Sequence, residues 1–238
     1  MKQWIPNAFS LGNAVCGFLA LYAIFHESNP ILACWFVLIA AIFDVFDGML
    51  ARALGVAGPL GVQLDSLADV ISFGAVPASM LYFILSKHGW NMEWSLTLPA
   101  FMLAMSVLRL AKFNIDDSQN TDFKGLPTPA NGLFWVGMAV IHSEAFDLAW
   151  LNFLQNEWVI AGLAITLSVF LNLPTPLLSL KFKELSLKGN EYRVALIVGS
   201  LLILALGVVF YANFFVMLPI VILLYLILSI TKNLIQTR

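Results

Sequence analysis

Apolar runs of sixteen to twenty-five residues recur along the chain, separated by short segments carrying Gly, Pro, Asn or charged residues. A hydrocarbon core of about 30 Å needs about 20 residues of α-helix. The runs near 5–25, 31–54, 61–85, 95–113, 128–143, 157–174, 194–211 and 214–231 therefore predict eight membrane-spanning helices. The fifth run is short and residues 144–156 are mixed in character, so a re-entrant 128–174 region would reduce the count to six. Neither strand alternation nor an internal repeat is evident.

Composition supports this class. The chain of 238 residues is 61% hydrophobic and 11% charged, with a mean hydropathy of +0.89, against about 25% charged residues in soluble domains. The expected fold is all-α, a polytopic helical bundle forming one integral membrane domain over residues 1–238. The opening Met1-Lys2-Gln-Trp-Ile-Pro6 could begin a signal peptide. The apolar stretch from Ala14 to Phe25 has no small-residue cleavage site, so it reads as the first span. With the N-terminus inside, Lys2, Arg52, Arg109, Lys112, Lys124, Lys181, Lys183, Lys188, Arg193, Lys232 and Arg238 fall on one side and Lys87 alone on the other. The positive-inside rule then predicts both termini in the cytoplasm, in a cytoplasmic (inner) membrane. The segment Lys181–Lys188 interleaves basic and apolar residues and reads as a loop on the membrane surface. A net charge of −2 with no basic arm gives no reason to expect a nucleic-acid partner. Cys16 and Cys34 lie in apolar runs without ligand spacing and read as buried small hydrophobes. His26, His88 and His142 are isolated near the predicted outer ends and read as interfacial residues.

Against this background four carboxylates stand out: Asp44, Asp47, Asp65 and Asp69, all within apolar runs. A charged residue in hydrocarbon costs at least about 2.5 kcal/mol and marks a functional site by default. Asp44 and Asp47 are three apart and share one helix face; Asp65 and Asp69 are four apart and share another. Between them Gly55, Gly58 and Pro59 turn the chain. The two pairs can thus face each other at one depth, on the cytoplasmic side of the predicted topology. Four clustered carboxylates repel unless cations sit among them. An all-oxygen cage suits Mg²⁺ or Mn²⁺, and the ligand count matches two ions. Gly48, Ala51 and Gly61 leave room for a ligand to approach the backbone, and Arg52 offers a fork suited to phosphate.

The spacing Asp-x2-Asp-Gly-x2-Ala-Arg-x8-Gly-x3-Asp-x3-Asp is filled at each fixed position by residues 44–69. It resembles the signature of the CDP-alcohol phosphatidyltransferases. The resemblance implies a CDP-linked lipid as one substrate and displacement of CMP by an alcohol hydroxyl. It also implies that Asp44, Asp47, Asp65 and Asp69 hold metal, that Asp69 is the base, and that Gly48, Ala51, Arg52 and Gly61 line the CDP-lipid site. A homodimer is implied by the resemblance alone.

Further stretches narrow the acceptor. Ser72-Phe-Gly-Ala-Val-Pro77-Ala78 follows Asp69; Arg109-Leu-Ala-Lys112-Phe-Asn114 and Phe123-Lys-Gly125-Leu-Pro127-Thr-Pro129-Ala130 come later. With Pro6-Asn7 and Asn13 they resemble the branch using L-serine and CDP-diacylglycerol, over a catalytic region of residues 5–132 followed by additional helices in 133–238. Three departures are visible: Ala75-Val76 is reversed in order, Lys112 stands where Arg is usual, and Asn131 stands where a second Ala is common. A serine carboxylate needs a cation, for which Arg109 and Lys112 are candidates; Ser72 and Asn114 are candidate hydrogen-bonding partners, although Ser72 could equally bond its own helix. Two alternatives remain: another acceptor in the same family (glycerophosphate, inositol or choline), or a cation transporter using the aspartates. Transport folds favour corresponding halves, and the second half of this chain has no counterpart of the aspartate block.

Overall fold

The computed structural model describes residues 2–87, 89, 92–115, 125–143, 153–154, 156–178, 190–211 and 213–236. His88, Phe123, Lys124, Arg238 and the segment 181–188 lie outside the described residues. The described residues form α1 (Trp4–Phe25), α2 (Pro30–Ala53), α3 (Pro59–Asp69), a π-helical turn (Val70–Ala75), α4 (Val76–Lys87), α5 (Met92–Ile115), α6 (Thr128–Ser143), α7 (Glu157–Phe170), α8 (Glu191–Tyr211), a 3₁₀ turn (Phe214–Met217) and α9 (Leu218–Gln236). Because α3, the π turn and α4 run on as one rod, the described residues make eight helical segments, one at each predicted span. Six of these are long and apolar enough to cross a membrane. The protein is an integral membrane helical bundle.

The two shorter segments, α6 with 16 residues and α7 with 14, rise about 24 and 21 Å at 1.5 Å per residue. Both fall short of a full hydrocarbon crossing. For α6 the reason lies in its position. It is the central helix, packed against α2, α4, α9 and the π turn, and Phe134, Trp135, Met138 and Val140 on it are wholly buried. A helix surrounded by protein need not match the bilayer. Close packing there depends on Gly137, where a Cβ would come 2.3 Å from Pro219 Cδ and 2.7 Å from the Phe215 carbonyl oxygen. At the opposite extreme α8 buries only Leu196 and Gly207 and leaves Leu201, Leu202, Val209 and Phe210 on an apolar outer surface.

Local signals set the ends. Asn29 caps α2 by accepting from the Leu32 N–H at 3.0 Å, with Pro30 in the first turn. Asn156 caps α7 in the same way, accepting from Trp158 N–H at 2.9 Å. The wide π turn precedes Pro77, whose ring nitrogen cannot donate to the α-type partner one turn back. The extra residue lets the rod pass the proline without breaking, and Val76 N–H bonds the Ile71 carbonyl.

The connection into α6 is pinned to the end of α7. Gly125 N–H donates to Thr175 O at 2.9 Å and Leu126 N–H to Phe170 O at 3.0 Å. Gly125 has φ +77°, and a Cβ on it would lie 2.5 Å from the Leu171 carbonyl oxygen. Both facts favour glycine over any other residue. Gly125→Ala is expected to destabilise the protein by about 1–3 kcal/mol, by overpacking and strain. Thermal unfolding in detergent checks this; an unchanged midpoint would show that the loop relaxes freely.

Candidate active site

The start of α1, the end of α2, the start of α3, the end of α5 and the start of α6 meet at one end of the bundle. There the two aspartate pairs converge. One carboxylate oxygen from each of Asp44, Asp47 and Asp65 lies within 4.8 Å of the others. Asp47 and Asp69 are buried, while Asp44 and Asp65 are half-buried. Asp69, one turn deeper along α3, interacts electrostatically with all three. The turn that brings the pairs together includes Gly55 at φ +64°.

Three like charges this close repel by at least about 3 kcal/mol per pair at an effective dielectric near 20. Asp65 Oδ1 is moreover buried and, among the described residues, has no hydrogen-bond partner. An all-oxygen donor set with an orphaned carboxylate oxygen fits a hard divalent cation, so this acidic triad can hold a metal ion.

Side chains from α1 complete the inner wall. Ser10 donates to Asp47 Oδ2 at 2.6 Å, and Asn13 Nδ2 donates to Asp69 Oδ1 at 3.1 Å. Both fix carboxylate orientation without adding charge. Neither was singled out for a role from sequence. The signal is nevertheless present: Asn7, Ser10 and Asn13 recur every three residues in an otherwise apolar helix, and all three are buried.

Outside the triad opens a cavity of about 210 Å³ lined by Asn7, Ser10, Asp47, Gly48, Ala51, Arg52, Gly61 and Asp65, among others. It thus gathers all four residues expected to line a CDP-lipid site. Arg52 is exposed at its mouth. A Cβ on Gly48 would lie 3.4 Å from Arg52 Nη1, so a larger residue there would push the guanidinium aside. A Cβ on Gly61 would lie 3.5 Å from Asn7 Oδ1.

The four candidate acceptor residues fare differently. Arg109 is buried at 8% exposure, donates from Nη1 to Thr128 Oγ1 at 2.9 Å, and interacts electrostatically with Asp69 and with Tyr225 on α9. Lys112 is exposed. Ser72 donates to the Ala68 carbonyl at 3.0 Å, within its own rod. Asn114 Oδ1 accepts from Ser66 at 3.0 Å. Of the two candidate cations, Arg109 is the buried one and interacts electrostatically with Asp69. Of the histidines, His26 is exposed, with its ring 3.9 Å from Glu27. His142 is buried at the end of α6, where its carbonyl accepts from Lys87. Cys16 and Cys34 are buried free thiols.

A carboxylate cluster that can hold a metal ion thus opens onto an arginine-edged cavity, a combination suited to binding phosphate. The family described as CDP-alcohol phosphatidyltransferase matches residues 3–172, and the chain belongs to it. Among its relatives is a CDP-diacylglycerol–serine O-phosphatidyltransferase of Bacillus subtilis, 33% identical over 136 residues, covering 55% of this chain and 72% of that protein. One of the same name from Helicobacter pylori is 35% identical over 130 residues, or 52% of each chain. An archaetidylserine synthase of Methanothermobacter thermautotrophicus is 34% identical over 129 residues, covering 52% of this chain and 53% of that one. The match therefore spans only about half the length of the last two relatives.

Proposed function

We propose that the protein transfers the phosphatidyl group of CDP-diacylglycerol to the hydroxyl of L-serine, releasing CMP, at the membrane's cytoplasmic face. The observation that carries the transfer chemistry is the meeting of Asp44, Asp47 and Asp65 within 4.8 Å at the edge of the Arg52 cavity. The serine acceptor is supported by the relatives' names and by buried Arg109, which interacts electrostatically with Asp69.

In this reading Asp44, Asp47, Asp65 and Asp69 would hold two Mg²⁺ or Mn²⁺ ions. When bound, these supply positive charge that offsets the pyrophosphate and the charge developing on departing CMP. Arg52 pairs with phosphate at the mouth, and Gly48, Ala51 and Gly61 leave space for the nucleotide. Asn13 holds Asp69 so that its carboxylate can accept the serine hydroxyl proton. The serine oxygen then forms a bond to the lipid-linked phosphorus. The bond from that phosphorus to the bridging oxygen breaks, and its electron pair leaves with CMP. Positioning and electrostatics dominate such a reaction.

Arg109 binds the serine carboxylate, since a buried carboxylate must be paired. Arg109→Lys keeps the charge but loses the planar fork. Serine KM is then expected to rise about 10- to 150-fold, the worth of one charge-assisted contact, with little change for CDP-diacylglycerol. If Lys112→Ala raises serine KM instead, the carboxylate belongs to Lys112.

The reaction itself is tested by CMP release from CDP-diacylglycerol with Mg²⁺ or Mn²⁺ and serine, glycerol 3-phosphate, inositol or choline. Serine should be the productive acceptor. Turnover with another acceptor alone would keep the family chemistry and overturn the serine assignment.

A further inference from the structure

On α6, Asn131 lies one turn beyond Thr128, which accepts from the Arg109 guanidinium. Asn131 sits in the first turns of α6 and is completely buried, yet among the described residues neither its Nδ2 nor its Oδ1 has a hydrogen-bond partner. A buried amide with both ends unsatisfied is rare in a folded protein and calls for a ligand, a water or an ion. Thr128 lies three residues earlier, on the same face of α6, and holds the Arg109 guanidinium at 2.9 Å. Arg109 Nε is itself buried and unpartnered. The residue after Asn131, Gly132, packs against Phe73 and Pro77, so the adjoining side of α6 meets the rod one turn beyond Asp69. The face of α6 shared by Thr128 and Asn131 thus carries a free donor, Asn131 Nδ2, and a free acceptor, Asn131 Oδ1, with the Arg109 guanidinium bonded to the same face through Thr128. A carboxylate needs the first kind of group and an ammonium the second. Glycerophosphate and inositol offer no ammonium, and choline has no N–H to donate.

We infer that Asn131 is a specificity-determining residue whose carboxamide oxygen accepts a hydrogen bond from the acceptor's α-ammonium while Arg109 holds its carboxylate. The inference rests on the serine reading above and extends it to the acceptor's ammonium.

The test compares serine with 3-hydroxypropionate, which keeps the hydroxyl and carboxylate but lacks the ammonium, as a competitor in the CMP-release assay. In Asn131→Ala, serine KM should rise about 10- to 100-fold. kcat and the KM for CDP-diacylglycerol should stay within about threefold, because the lost contact is to the substrate and not to the reacting atoms. The inhibition constant of 3-hydroxypropionate should move much less than serine KM. Equal shifts for both compounds, or no shift in serine KM, would overturn the inference. Should Asn131→Ala fail to fold, Asn131→Asp keeps the size and adds charge. Ethanolamine, which keeps the ammonium and lacks the carboxylate, should then compete about tenfold better than in the wild type, the gain of one charged contact; no improvement overturns it equally. A wild-type protein that does not release CMP with serine defeats the serine reading and this inference together. One that uses serine while Asn131→Ala leaves the serine to 3-hydroxypropionate ratio unchanged defeats the inference alone.

Discussion

Asp69→Asn is expected to reduce turnover by about 100- to 10,000-fold, the range for loss of a positioned general base. The amide keeps the shape and can still meet Asn13, whose Nδ2 contacts Asp69 Oδ1 at 3.1 Å, but it cannot take the serine proton. Because the Arg52 cavity is lined by Asp47 and Asp65 rather than Asp69, affinity for CDP-diacylglycerol should survive largely intact. The measurement is single-turnover CMP release beside nucleotide-lipid binding in detergent. Turnover within tenfold of wild type would remove Asp69 from the base role, and equal loss of binding and turnover would make it a metal ligand only.

A second large effect is expected from the triad. Stripping divalent ions with a chelator should abolish CMP release, and Mg²⁺ or Mn²⁺ should restore it. Asp65→Ala should lower turnover by at least about 100-fold even in excess metal, since several kcal/mol of charge stabilisation is at stake and each 1.36 kcal/mol is tenfold. Direct titration of Mn²⁺ into the purified variant separates binding from chemistry. Undiminished activity in chelator would end the metal assignment. Relief of repulsion makes a further point: removing one of three carboxylates that crowd within 4.8 Å should leave thermal stability equal or higher without metal, while activity falls.

Much of this was legible in the chain because the membrane simplifies the problem. Helix positions follow from run length against bilayer thickness, and residues 5–25 and 31–54 became Trp4–Phe25 and Pro30–Ala53. The aspartate site was legible because local helical spacing and one short turn supply nearly all its geometry. The rest depends on contacts between distant segments. Ser10 meets Asp47 across 37 residues, and Asn13 meets Asp69 across 56. Helical periodicity carries no information about such partners. Arg109 and Lys112 looked equivalent in sequence; only packing against Thr128 separates the buried cation from the exposed one. Ser72 looked equally able to serve a ligand or its own backbone, and bonds its own backbone because it is enclosed at the π turn.

That π turn has a consequence for how this enzyme can vary. Each α-helical residue advances the chain by about 100° around the axis. Six residues, Val70–Ala75, stand between Asp69 and the start of α4. A residue of the wide turn advances the chain by less, so the turn absorbs one extra residue. Were all six plain α-helix, everything beyond would rotate by about 100°. Either Asp65 and Asp69 would then swing away from Asp44, or Met80, Leu81 and Ile84 would leave the core. The segment is therefore a phase adjuster between a half that carries the aspartates and a half that packs the bundle. Deleting one of its residues and closing the turn to α-helix should keep both halves in phase, whereas adding a second should not.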